Sequence, residues 1–291
     1  MKAPLTVTLV QCDATLGDIE KNAQAHLEVI AATKEEETDL IVFPELSLTG
    51  YVLRDLTPEV AMKRNHPVLK ALCEASLSVD LVVGYIEEGE DSQLRNAVAY
   101  FSSGSITHVH HKVYLPTYSM FEEARYWGAG DVVAAFDTRY GRLGILTCED
   151  VWHPSTSYCL FADRADVIIV PSASPARGIT VGETPSQDLQ AGSSQAWRDL
   201  LRQQSSAFNV YSIYVNRCGV EDGTSFAGGS CVIDPYGSQL LDFGMEAKIQ
   251  TITLDPESLR RRRQAVPMLR DERLDVTLGN LTRVARERFD D

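Results

Sequence analysis

The feature that most constrains this 291-residue chain is a series of ten short, β-branched apolar runs: LTVTLVQC (5–12), DLIVF (39–43), VDLVVGYI (79–86), NAVAYF (96–101), SITHVHH (105–111), RLGILT (142–147), DVIIVPS (166–172), VYSIYVN (210–216), GSCVIDP (229–235) and KIQTITL (248–254). Runs of this length and composition read as strands. Stretches with helical spacing lie between several of them, as in Ile19, Ala23, Leu27 and Ile30 behind a capping Asp18, and again from Ala196 to Phe208. The mixed α and β order predicts sheet layers covered by helices. SSGS (102–105) and DPYG (234–237) supply tight turns between neighbouring strands.

No Gly/Ser/Pro-rich linker, repeat or shift of composition divides the chain, so residues 1–255 are expected to form one domain. From Asp255 onward the pattern becomes irregular and charged. With 27 basic against 41 acidic residues, net −14, the average surface repels phosphate backbones and anionic lipid headgroups. Neither nucleic acid nor membrane is an expected partner, and no apolar run approaches the ~18 residues that cross a bilayer. Six cysteines lie scattered without CxxC pairs, and MKAPLTVTLVQCD has no signal-like apolar stretch, so a reduced, cytoplasmic setting is expected.

Three reactive side chains each follow a strand-like run: Glu45 in IVFPELSLTGY, Lys112 in HHKVYLPTY and Cys148 in ILTCEDVW. Strand ends on one edge of a sheet are neighbours in space, so carboxylate, ammonium and thiol can converge. Taken singly, each has a plainer explanation: Glu45 as a cap after Pro44, Lys112 as a solvated strand end, Cys148 as an inert buried thiol. His108, His110 and His111 in HVHHK suggest a metal site, since alternate residues of a strand such as His108 and His110 share a face, but no nearby third-ligand pattern of the right kind accompanies them.

FPEL…TGY, HKVYLPTY…FEEARYW, CED.WHP and FAGGS…DPYG, in this order from about Leu5 to Leu254, resemble the nitrilase superfamily of carbon-nitrogen hydrolases. LPTYSMFEEARYW and PSASP resemble most the glutaminase domain of glutamine-dependent NAD synthetase, or a freestanding relative of it; no SGGxDS-type ATP-binding motif is present, so a complete synthetase is not expected. The resemblance implies a four-layer α-β-β-α sandwich, a homodimer or higher homo-oligomer, and no metal or cofactor. It also likens LRRRR (259–263) and AVPMLRDERLDV to a C-terminal arm, residues 256–291, that packs on a partner subunit.

On this resemblance Cys148 attacks an amide carbonyl to give a thioester. Glu45 serves as general base and then acid, and Lys112 with the backbone N–H of Glu149 holds the oxyanion. Glu123 in FEEARYW matches the carboxylate that orients the lysine, with Glu122 as the other choice of register, and His153 is expected to be structural. Glu149 and Asp150 beside the thiol should raise its pKa and Lys112 should lower it. Tyr51, Tyr118, Phe121, Glu149 and Ser174 occupy positions implied to contact the amino-acid part of a glutamine-like substrate. VLRD after Tyr51 and ARGITVGETPSQD after Pro175 depart from the synthetase pattern, which leaves the choice among amide, N-carbamoyl compound and nitrile open. An ammonia-supplying subunit gated by a synthetase and an acyltransferase are the rival functions.

Overall fold

The computed structural model describes residues 1–33, 37–176 and 189–289. In chain order the strands are β1 Leu5–Gln11, β2 Leu40–Val42, β3 Asp80–Glu88, β4 Leu94–Ser102, β5 Ser105–His111, β6 Ala135–Asp137, β7 Arg142–Ile145, β8 Val167–Ser172, β9 Tyr211–Asn216, β10 Val220–Glu221, β11 Thr224–Ser225, β12 Cys231–Ile233, β13 Gln239–Asp242 and β14 Lys248–Leu254. They build two six-stranded sheets, ordered β14-β1-β2-β3-β4-β5 and β13-β12-β9-β8-β7-β6, with β10-β11 as a separate hairpin. Each sheet has a parallel centre, β1-β2-β3 in one and β7-β8-β9 in the other, flanked by antiparallel strands.

Alternation along the central strands explains the layering. In β8, Val167 and Ile169 join Val7, Leu9, Val42 and Val82 in the core between the sheets, whereas Ile168 and Val170 turn outward to Leu160, Trp197 and Leu201. In β3, Leu81, Val83 and Tyr85 face outward to Ile30, Leu69 and Leu72. Strands buried on both faces read as unbroken apolar runs, and the result is the expected α-β-β-α sandwich. The outer layers are the helices Ile19–Ala32 and Pro67–Ala75 on one sheet, and Pro154–Ala162 and Leu189–Phe208 on the other. Asp18 accepts a hydrogen bond from the Lys21 N–H and so starts the first of these.

β14 closes the first sheet by pairing Leu254 with Leu5. Beyond it the irregular, charged tail is helical, over Pro256–Ala265, Met268–Asp271 and Leu274–Arg288. Arg262 donates to Asn209 Oδ1 and Arg263 to Asp166 Oδ1, so the arginine run is partly tied to the body rather than simply solvated. Among the described residues no helix is long and apolar enough to cross a membrane.

Candidate active site

Glu45, Lys112 and Cys148 all follow strands whose C-terminal ends share one edge of the sandwich. The loop after β2 crosses β3 at Gly84, where an added Cβ would meet Leu46 N at 2.4 Å and Pro44 O at 2.9 Å; only glycine permits so close a crossing. Glu45 is thereby carried over β3 towards β4, where Asn96 Nδ2 donates to its Oε1 at 2.7 Å. Lys112 leaves the end of β5 and donates from Nζ to Glu45 Oε1 at 2.8 Å and to Glu123 Oε1 at 2.7 Å. All three side chains are at most 2% exposed. Glu122 is exposed and 3.6 Å from Arg125, so Glu123 is the carboxylate that reaches the lysine.

Cys148 opens the turn Cys148–Trp152 with φ at +45°, a left-handed conformation that costs a non-glycine residue about 1–2 kcal/mol. Its Sγ accepts from Ser172 Oγ at 3.2 Å, and the next residue, Ala173, donates its N–H to Glu45 Oε2 at 2.7 Å. The end of β8 thus holds thiol and carboxylate side by side. Asp150, three residues after Thr147, makes the turn rigid: Oδ2 accepts from the Thr147 N–H at 3.0 Å and from His110 Nε2 at 2.8 Å. Its Oδ1 accepts from the N–H groups of Val113 and Tyr114 at 3.0 and 2.9 Å, directly after Lys112.

Burial pushes the Cys148 thiol up, the charge on Glu45 adds to this, and Lys112 opposes it. The adjacent Glu149 and Asp150, expected to be responsible, face elsewhere. Burial would depress Lys112, but Glu123 and Glu45 outweigh it and keep the ammonium charged. Glu123 is pushed up to about 7 by burial, with Lys112 opposing and Glu45 reinforcing.

The five substrate-side residues fall into separate places. Tyr51 donates its phenol to Glu123 Oε1 at 2.5 Å, and with Phe121, Trp127, Pro175 and Phe226 it lines a cavity of about 150 Å³ that Glu123 also borders. Tyr118 donates to both oxygens of Glu149 at 2.9 and 3.0 Å on the rim, and its ring meets that of Phe121 edge-on at 5.6 Å. Ser174 is 1% exposed, and its hydroxyl accepts from Trp197 Nε1 at 2.8 Å. His153 stacks on Tyr114 at 3.5 Å, and His110 is taken by Asp150. Of ARGITVGETPSQD, the residues after Ala176 lie outside the described ones. A larger cleft of about 820 Å³ around Lys63, Arg64, Glu87 and Arg95 contains none of the cluster, and its Lys and Arg side chains are each paired with a carboxylate.

Asn96, Asp150 and Glu221, whose role is taken up below, were not singled out for these contacts in the sequence. The Thr147–Asp150 spacing of a helix cap was a legible signal for Asp150; nothing local marks Asn96.

A sandwich with a buried carboxylate and ammonium beside a partly buried thiol, each just past the end of a strand, has the architecture of the nitrilase superfamily. A model of the carbon-nitrogen hydrolase family matches residues 6–264. The glutamine-dependent NAD(+) synthetase of Thermotoga maritima is 31% identical over 265 residues, 88% of this chain and 43% of that protein. Among solved structures, the glutamine-dependent NAD+ synthetase of Acinetobacter baumannii superposes with a TM-score of 0.76 at 26% identity, over 88% of this chain and 47% of that one. A carbon-nitrogen hydrolase from Helicobacter pylori shares the fold at a TM-score of 0.80 and 23% identity, over 94% of this chain and 97% of that one. The chain belongs to the carbon-nitrogen hydrolase family and is an enzyme of that class. It spans less than half the length of the synthetases it matches.

Proposed function

We propose that this enzyme hydrolyses a small linear amide, with a glutamine-like ω-amide favoured, to a carboxylic acid and ammonia through a thioester on Cys148. The observation that carries the reading is the buried ion cluster in which Lys112 bridges Glu45 and Glu123 beside the thiol. Such a cluster is costly to bury and serves poorly as a stabilising device. Glu45 takes the thiol proton as Cys148 attacks and delivers it to the departing ammonia; it then activates the water that cleaves the thioester. An ammonium has three N–H donors, and the carboxylates use two of those of Lys112. The third, with the backbone N–H of Glu149, meets the oxyanion. Glu123 orients Lys112.

Glu149 carries the substrate preference in this reading. Lys112 is not its partner; the carboxylate faces Tyr118 and, at 3.7 Å, His153 Nε2, and with Tyr118 it would hold the α-ammonium of an amino-acid amide. Tyr51 and Phe121 wall the chain between. The test is kcat/KM for glutamine and for 4-carbamoylbutanoate, its des-amino analogue, on wild type and Glu149→Gln. Loss of a charge-assisted bond of roughly 1.5–3 kcal/mol for glutamine alone is expected; equal losses for both substrates would refute ammonium recognition.

The named relatives support a second form of the same chemistry, in which the ammonia is supplied to a synthetase that gates the site. Glutamine hydrolysis by this chain alone would then be slow and would rise on adding that partner. We also propose that residues 256–291 pack on a second copy, because the helix Leu274–Arg288 leaves Leu274, Leu278 and Leu281 exposed by 44%, 55% and 61%. Leu278→Glu with Leu281→Glu should lower the oligomer mass measured by light scattering.

A further inference from the structure

β10 and β11 are joined by Asp222 and Gly223, both at positive φ (44° and 78°), the hairpin turn that an Asp-Gly pair favours. The turn buries Glu221, 4% exposed, while Thr224 and Phe226 just beyond it line the cavity beside Glu123. Glu221 Oε1 accepts from the N–H groups of Tyr51 and Val52 at 2.8 and 2.5 Å. Its Oε2 accepts from Arg217 Nη1 at 2.7 Å, and Arg217, 1% exposed, lies over the Phe226 ring at 4.1 Å. Gly50 presses on the same carboxylate, since a Cβ there would meet Glu221 Oε2 at 2.8 Å.

We infer that Glu221 is a positioning residue for the hydrolytic site: by fixing the main chain of Tyr51 it sets the phenol on Glu123 and, through Glu123, the place of Lys112. The path is continuous, from Arg217 to Glu221, to the Tyr51 N–H, from the Tyr51 phenol to Glu123 Oε1, and from that oxygen to Lys112 and Glu45. A carboxylate and a guanidinium buried together gain little stability over apolar replacements, so this pair fits a geometric task. The inference uses the amide-hydrolase reading only for its substrate.

The experiment is a cycle of Glu221→Gln, Tyr51→Phe and the double variant, followed both by ω-amide turnover and by the alkylation rate of Cys148 with iodoacetamide. Alkylation needs no turnover, so coupling there without ω-amide hydrolysis would overturn the substrate reading and leave the role of Glu221 standing. Glu221→Gln is expected to slow wild type roughly 10- to 100-fold, as a displacement of about 1 Å can do, and to slow Tyr51→Phe less than about threefold. The Tyr51 bond also lowers the Glu123 pKa, so losing it should move upward whichever limb of the pH profile Glu123 sets. That limb should move with Glu221→Gln and stay put when the substitution is made on Tyr51→Phe. Arg217→Gln, which frees the other oxygen, should repeat the pattern more weakly. Equal losses in the two Tyr51 backgrounds, an unmoved limb, or failure of both Glu221→Gln and Arg217→Gln to fold would overturn the inference.

Discussion

His110 and Asp150 form a buried pair, Nε2 to Oδ2 at 2.8 Å, that joins the strand leading to Lys112 to the turn carrying Cys148. Because the other contacts of Asp150 are the N–H groups of Thr147, Val113 and Tyr114, one carboxylate sets the spacing between ammonium and thiol. Asp150→Asn replaces an acceptor oxygen by a donor facing donors, and should cost on the order of 3 kcal/mol in urea unfolding at neutral pH. Burial would raise the Asp150 carboxyl, but the His110 bond and the amides hold it below the usual carboxylate range. Its contribution is therefore full above about pH 4 and fades as pH falls further, so the gap between wild type and Asp150→Asn should close there.

Lys112→Met should damage the fold as well as the rate. With the ammonium gone, Glu45 and Glu123 face one another while almost fully buried. Removing one partner of a buried pair costs about 3–5 kcal/mol. Lys112 also lowers the Glu123 pKa, so in the variant the Glu123 carboxyl lies further above its unfolded value and takes up a proton on folding. The penalty should be largest near pH 8 and shrink towards pH 5, read by urea unfolding at the two values. A penalty independent of pH would mean that the carboxylates are relieved in some other way.

His26 links the first helix to the Glu45 loop. Its Nδ1 meets the Asn22 carbonyl at 2.7 Å, its Nε2 meets Ser47 Oγ at 2.9 Å, and the ring stacks on Phe43. Only a neutral ring can donate to the carbonyl and accept from the hydroxyl, and burial lowers the pKa to about 4. The unfolded chain takes up a proton near pH 6.5 that the folded one refuses. Stability is thus undiminished above about pH 6.5 and falls by up to about 3 kcal/mol as pH drops towards 4. His26→Gln should flatten that part of the wild-type curve.

The central strands were legible because those buried on both faces leave continuous apolar runs; the edge strands Ser105–His111 and Lys248–Leu254, mostly half-buried or exposed, were legible by their length of seven residues and match the expected limits residue for residue. β6, β13 and the β10–β11 hairpin were not, since they are short and lie at sheet edges or outside the sheets, where little side-chain burial marks them. Glu45, Lys112 and Cys148 stood out by following strands. The direction of a side chain after a turn is not written in sequence: Glu149 and Asp150 adjoin the thiol, yet one turns to Tyr118 and the other to His110. Glu221 was hidden because the backbone groups it holds, the N–H of Tyr51 and Val52, lie about 170 residues away in sequence.

The central claim is covalent chemistry at Cys148, and the most direct measurement is mass spectrometry of enzyme quenched in acid during turnover of glutamine. A γ-glutamyl increment is expected on the peptide containing Cys148 in wild type. Cys148→Ala should show neither the increment nor ammonia release, with its circular dichroism unchanged. Steady ammonia release by folded Cys148→Ala, or an acyl group found on a different residue in wild type, would contradict it.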